Sequence, residues 1–270
     1  MKKTRGVIYI ATGEKYINEV LVSAASLKKH MPDLPVTLFS DLDVKSSYFD
    51  KILKIKNPVF GFEDKVRYMY KSPYDLTLFL DTDTYICDDV SELFDLLNRF
   101  DIAVAHVPTK NKSSIIGTPE SFVLIDTGII LFKKSLKIKK LFSEWLRLYN
   151  LDKKRGYIRL KSGLKSLENK IKWKEKGIPD ALNFNKVLYN SKIRFVTLTK
   201  EYDFRAKCGF VNWKVKILHR RNWDFALVES IINSYSSPRV FFWSFDRLHV
   251  FPLDRRFGLS TGLFRRFGFL

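Results

Sequence analysis

Two carboxylates one residue apart, Asp81 and Asp83, carry the most specific chemistry in this chain, because an apolar run, Leu76-Thr77-Leu78-Phe79-Leu80, leads straight into them. Residues i and i+2 of an extended segment point the same way, so Asp81-Thr82-Asp83 can bring both carboxylates to one point. Two anions held together require a cation. Hard oxygen ligands favour Mg²⁺ or Mn²⁺, which keep positions open for substrate phosphate oxygens. An isolated D-x-D is common on surface loops; a buried strand that delivers it to a sheet edge is not. Histidines are the remaining ligand candidates. His219 ends the apolar run 215–218 and His106 ends 102–105, whereas His30 and His249 have no such setting. Cys87 and Cys208 form no CxxC pair, which excludes a Cys-based zinc site or a disulfide framework and fits a reducing compartment.

The segments around these residues alternate between strand and helix patterns. Residues 7–11 form a short apolar run suited to a buried parallel strand. Ile17, Val20, Leu21, Ala24, Ala25 and Leu27 then follow helical spacing, ending before Pro32. Strands are expected at 36–39, 51–56, 76–80, 102–105, 128–132, 193–198 and 215–219. Helices are expected at 64–71, 135–149 and 180–189, and at 93–100 behind a capping box at Asp89-Val90-Ser91-Glu92. Such alternation specifies an α/β layout, a mostly parallel sheet flanked by helices. Ligands of these sheets bind outside the carboxyl ends of the strands, where the acidic triplet stands.

Composition narrows the class further. The chain has 270 residues, 46% of them hydrophobic, enough for a sizeable core and against disorder. Lys and Arg number 48 against 29 Asp and Glu, a net charge of +19, which predicts an anionic partner without choosing between nucleic acid, lipid and phosphorylated substrate. No apolar run approaches the roughly 18–20 residues that span a bilayer. The basic start and short run 7–11 are too brief for a signal peptide, so a cytoplasmic protein, soluble or peripheral on the inner face of a membrane, is expected. The segment 150–178 is rich in lysine, with a helix plausible at 164–176. The end differs in kind. Arg-Arg-Phe-Gly occurs at 255–258 and again at 265–268 among Phe and Leu, as an anionic membrane surface would require. Two parts are therefore expected: a domain at 1–225 and a basic, aromatic C-terminal extension at 226–270.

With these residues in place, the chain resembles the GT-A fold nucleotide-sugar transferases of glycosyltransferase family 8, the group of glycogenin and bacterial lipopolysaccharide galactosyltransferases. Four segments carry the resemblance in order, between about residues 6 and 221: Tyr9-Ile10-Ala11-Thr12-Gly13-Glu14-Lys15-Tyr16, Leu78-Phe79-Leu80-Asp81-Thr82-Asp83-Thr84, Asp126-Thr127-Gly128-Ile129-Ile130-Leu131-Phe132 and Ile217-Leu218-His219. The resemblance implies a Rossmann-like sheet and a metal, Mn²⁺ or Mg²⁺, held by Asp81, Asp83 and His219, with His106 the competing ligand. It implies a donor site formed by Ala11, Thr12, Tyr16, Lys65, Thr82, Gly128 and Arg220, Tyr16 stacking on uracil and Thr12 bonding its edge. Lys65 is preferred over Arg67 as the basic donor-binding residue, and Arg220 or Arg221 takes the diphosphate. Asp180 and Asp126 are the catalytic candidates beside the sugar. The family's N-x-G asparagine is Asp126 here, and its D-Q pair is Asp180-Ala181, so no mechanism that needs a side-chain amide at 181 operates.

The expected activity is a metal-dependent Leloir-type hexosyltransferase of glycan biosynthesis. It would move a sugar from a nucleotide-diphosphate donor, UDP-linked by resemblance, to a glycan or lipid-linked acceptor with retention. The loop 108–119 and the stretch 150–178 are the expected acceptor-facing segments. A sugar-phosphate nucleotidyltransferase is the first alternative, but 11–15 holds one glycine where that class needs a Gly-rich phosphate loop. A basic nucleic-acid-binding protein, with the aromatics of 241–270 as its platform, is the second and lesser alternative.

Overall fold

The expected alternation builds a seven-stranded sheet in the computed structural model, which describes residues 3–107, 117–154, 179–205, 207–244 and 246–253. Its strands are β1 (Arg5–Ala11), β2 (Val36–Ser40), β3 (Lys51–Lys54), β4 (Leu76–Leu80), β6 (Ile102–His106), β7 (Ile125–Lys133) and β8 (Phe195–Thr197), in the order β3-β2-β1-β4-β7-β6-β8. Four of the pairings are parallel, and β7 runs antiparallel to both β4 and β6. The reversal matters for the site: the beginning of β7, rather than its end, lies at the edge where β1 and β4 finish.

Strand residues alternate between two cores, as a sheet covered on both faces requires. Val7, Tyr9, Leu38, Leu78, Leu80 and Leu131 pack under α1 (Glu14–His30) and the 3₁₀ stretch Ser91–Asn98. Ile8, Phe39, Phe79, Ile130 and Phe132 pack under α2 (Phe62–Tyr68), α3 (Leu136–Lys154) and α4 (Asp180–Tyr189), around the fully buried Trp145. The capping box expected at 89–92 does not form. Asp89 takes the Ser91 N–H at 2.7 Å, while Glu92 turns to Tyr202 and Lys216, and the residues behind them wind as 3₁₀ helix.

Two smaller sheets complete the described residues. β5 (Thr84–Ile86), directly after the acidic triplet, pairs antiparallel with β10 (Ile217–His219). β9 (Cys208–Val211), β11 (Arg239–Ser244) and β12 (Arg247–Pro252) form an antiparallel sheet that closes with α5 (Phe225–Ile232) over Phe204, Val211, Val215, Leu218, Val228, Ile232, Phe241 and Leu248. This core runs across the boundary expected between 225 and 226, because β9 pairs with β11 from the far side of it. The segments 108–116 and 155–178 and the Arg-Arg-Phe-Gly tail at 254–270 lie outside the described residues.

Candidate active site

The acidic triplet sits where β4 ends, and the pairing of β5 with β10 sets His219 opposite Thr84, one residue beyond it. His219 Nε2 lies 3.6 Å from Asp83 Oδ1 and 3.8 Å from Asp81 Oδ2. One ligand atom from each of the three residues falls within 4.8 Å of the others. Two carboxylates and one imidazole suit a hard divalent ion with positions left for other oxygens, so the residues present fit Mn²⁺ or Mg²⁺. Behind the ring, His219 Nδ1 meets Asp203 Oδ1 at 2.7 Å. Beneath it lies Gly128: a Cβ there would stand 2.1 Å from His219 Cε1 and 3.0 Å from Asp81 Oδ2. That is the physical reason for glycine at this point of β7. On its other side the His219 ring shares a second group of converging ligand atoms with Asp126 and Asp203. His106 donates its Nδ1–H to the Leu198 carbonyl at 3.0 Å and belongs to neither group among the described residues.

Charge is tightly compensated here. Burial acts to raise both carboxylates of the triplet. For Asp81 it prevails against Lys65 and the pKa stands above the ordinary value; for Asp83 the neighbouring His219 and Arg221 prevail and hold it well below the carboxylate range. Burial alone would lower the His219 pKa, but Asp203, joined by Asp83 and Asp126, raises it well above the usual value. A metal at this site therefore competes with a proton.

Lys65, on α2, is buried with its ammonium 3.0 Å from Asp81 Oδ1 and 3.1 Å from Asp180 Oδ2. Burial would depress its pKa, yet Asp180 and Asp81 more than offset that and hold it above the ordinary value. Arg67 instead turns to Glu63 on its own helix. Asp180 opens α4 and also accepts the Thr127 hydroxyl at 2.9 Å. Asp126 spends both oxygens within the protein: Oδ1 accepts the Gly128 N–H at 2.7 Å, and Oδ2 pairs with Arg205.

The residues that the resemblance implies for the nucleoside stand around the end of β1. Ala11 packs its methyl into the core. Thr12 donates its hydroxyl to Asp64 at 3.1 Å, and the same carboxylate takes the Val59 and Phe60 N–H groups at 2.9 Å each. Those bonds hold Phe60 at φ 57°, with its ring 59% exposed and set against Gly13. Tyr16 stands one helical turn on, its ring 5.0 Å from the Arg221 guanidinium. Arg221 also bonds Glu19 at 2.9 Å and approaches Asp83 to 3.8 Å. Thr82 donates its hydroxyl to the same Glu19 at 2.8 Å. Arg220 points elsewhere, over the Trp223 ring at 5.7 Å. Of the two neighbouring arginines, Arg221 is the one beside the triplet.

Sequence reasoning missed Asp203, Arg205 and Phe60. Asp203 and Arg205 arrive through a single backbone bridge between Phe204 and Leu218, a pairing that leaves no periodic signal. Phe60 follows an ordinary loop pattern whose positive φ only the structure reveals.

No family model and no curated protein matches this chain. Solved structures do. The galactosyltransferase LgtC, solved with donor and acceptor sugar analogs, is 12% identical over 80% of this chain and 87% of its own, with a TM-score of 0.53. The glycosyltransferase GlyE of Streptococcus pneumoniae TIGR4 in its apo form is 18% identical over 76% of this chain, with a TM-score of 0.49. A second GlyE structure gives 19% and 0.46. This chain spans about half the length of GlyE, 47% in both comparisons. At such identity the likeness speaks for architecture alone. The chain has the GT-A fold, shared with LgtC.

Proposed function

We propose that this protein is a Leloir-type glycosyltransferase that moves a sugar from a nucleotide-diphosphate donor, UDP-linked, to a glycan or lipid-linked acceptor, with Mn²⁺ or Mg²⁺ and with retention at the anomeric carbon. The observation that carries the reading is the convergence of Asp81, Asp83 and His219 at one sheet edge of a fold shared with a galactosyltransferase.

When bound, the metal supplies positive charge against the departing nucleoside diphosphate. The protein's own groups do the rest. Arg221 presents a planar guanidinium that can pair bidentately with phosphate oxygens beside the triplet. Lys65 neutralises Asp81 and Asp180 at once, fixing both carboxylates in place. Asp180 is the group available to a sugar hydroxyl. Asp126, already committed to Gly128 and Arg205, acts by shaping the pocket. Phe60, set against Gly13, and Tyr16, three residues beyond it, offer apolar ring surface to a base. Positioning the acceptor hydroxyl against the anomeric carbon supplies the remaining acceleration.

No described helix is long and apolar enough to cross a membrane. Peripheral attachment to the inner face of an anionic membrane is proposed for the four arginines and the aromatic residues of 254–270, which suits a lipid-linked acceptor. A panel of UDP- and GDP-sugars assayed for hydrolysis with Mn²⁺ and with chelator tests the reading. Metal-dependent release of UDP is the expected outcome; turnover of no sugar nucleotide in Mn²⁺ overturns it.

A further inference from the structure

The metal reading leaves one buried carboxylate without a role. Asp203 follows the 3₁₀ turn Lys200–Tyr202, and its side chain is only 3% exposed. One oxygen meets His219 Nδ1 at 2.7 Å, and the other, Oδ2, has no hydrogen-bond partner. A buried carboxylate left half satisfied is costly and needs a compensating interaction. We propose that Asp203 is a positioning residue for the metal, one that fixes the His219 ring and its tautomer so that Nε2 faces Asp81 and Asp83. This proposal rests on the metal-dependent reading of the site.

Three contacts make the arrangement over-determined. Asp203, as an acceptor, fixes the Nδ1–H and so leaves the Nε2 lone pair for a cation. Gly128 sets the ring plane from below, since any Cβ there would overlap the imidazole. The backbone fixes the anchor itself: the Phe204 N–H bonds the Ile217 carbonyl at 2.9 Å, and the His219 N–H bonds the Phe204 carbonyl at 3.1 Å. Residue 203 is thereby tied in register to residue 219. Rotating the ring would bring Nδ1 toward the triplet and strand Asp203 without a donor. The other groups near the Asp203 carboxylate are Asp126 and Arg205; Arg205 is paired with Asp126, which leaves His219 the hydrogen-bond partner of Asp203 among the described residues.

The test is Mn²⁺ binding to the full chain, followed by electron paramagnetic resonance without any sugar nucleotide, for wild type, Asp203→Asn, Asp203→Ala, His219→Ala and the double variant Asp203→Ala/His219→Ala. Loss of a carboxylate behind a ligating histidine weakens metal affinity by about 10–100-fold. Asp203→Ala is expected in that range and Asp203→Asn, which keeps an acceptor of the same shape, is expected between it and wild type. In the His219→Ala background, Asp203→Ala should change nothing further, because its effect passes through the ring. Thermal melts identify any variant that fails to fold, in which case Asp203→Asn alone decides. Imidazole ¹⁵N spectra in Mg²⁺, simple with four histidines in the chain, should show an Nδ1-protonated His219 in wild type and a mixture of tautomers in Asp203→Ala. Wild-type Mn²⁺ affinity in folded Asp203→Ala and Asp203→Asn, or an equal loss with and without His219, overturns the proposal. Absence of Mn²⁺ binding by wild type would instead overturn the metal reading on which it rests.

Discussion

Gly128 shows how much a residue without a side chain can decide. The sequence marks it as the glycine of an N-x-G-like segment, and the structure adds the reason: the His219 ring occupies the space a Cβ would take, and Asp203 behind the ring prevents its retreat. Gly128→Ala should therefore weaken Mn²⁺ binding by roughly tenfold or more although it removes no ligand atom. Calorimetric titration of the folded variant checks this; wild-type affinity would mean that the ring is free to move aside. At this scale the sequence was legible where a strand delivered a side chain directly, as β4 does for Asp81 and Asp83. The preference for Lys65 over Arg67 was made for donor binding, and it is Lys65 that reaches Asp81 and Asp180. The sequence was silent on Asp203 and Arg205, whose placement depends on one isolated bridge. It left the adjacent Arg220 and Arg221 undivided for the diphosphate, because which of them faces the triplet depends on the turn after β10 and not on residue type.

Elements with strong periodicity were readable from the sequence, including β1, β4, α1, α3 and α4. Some short or irregular ones were not, although the three-residue β8 and β10 were. β5 is three residues long, and β9, β11 and β12 draw their stability from a shared core rather than from clean alternation. That third core holds Arg239, which is fully buried and has no carboxylate bonded to its guanidinium among the described residues. Its guanidinium instead bonds the Ile232 carbonyl at 2.6 Å, the Ser237 carbonyl at 3.1 Å and Asn233 Oδ1 at 3.2 Å, tying the end of α5 to the start of β11. Burial lowers its pKa against the opposing pull of Glu201. Arg239→Leu takes this donor from the Ile232 and Ser237 carbonyls, whereas Asn233 Oδ1 keeps the Val215 N–H, and a loss of about 1–3 kcal/mol is expected in urea unfolding. An unchanged midpoint would show that water or neighbouring groups already satisfy them.

For the molecule as a whole, the net charge of +19 suits an anionic surface, and the tail carries four of its arginines. Each arginine near such a surface contributes about 1 kcal/mol. β12 belongs to the folded part, with Leu248 in the third core, so the place of truncation matters. A chain ending at Leu253 should melt as the full chain does and lose sedimentation with phosphatidylglycerol vesicles. One ending at Asp246 should melt several degrees lower. Persistent sedimentation of the chain ending at Leu253, at moderate salt, would assign the membrane contact elsewhere. The central claim, that Asp81, Asp83 and His219 form the metal site of a sugar-nucleotide transferase, is tested most directly by Mn²⁺-dependent UDP release from a UDP-sugar that wild type turns over, measured for Asp83→Ala. The account predicts at least a hundredfold loss of turnover, an order of magnitude in keeping with loss of one group stabilising charge in the transition state, in a protein that still melts cooperatively. Near-wild-type turnover by a folded Asp83→Ala protein would contradict it.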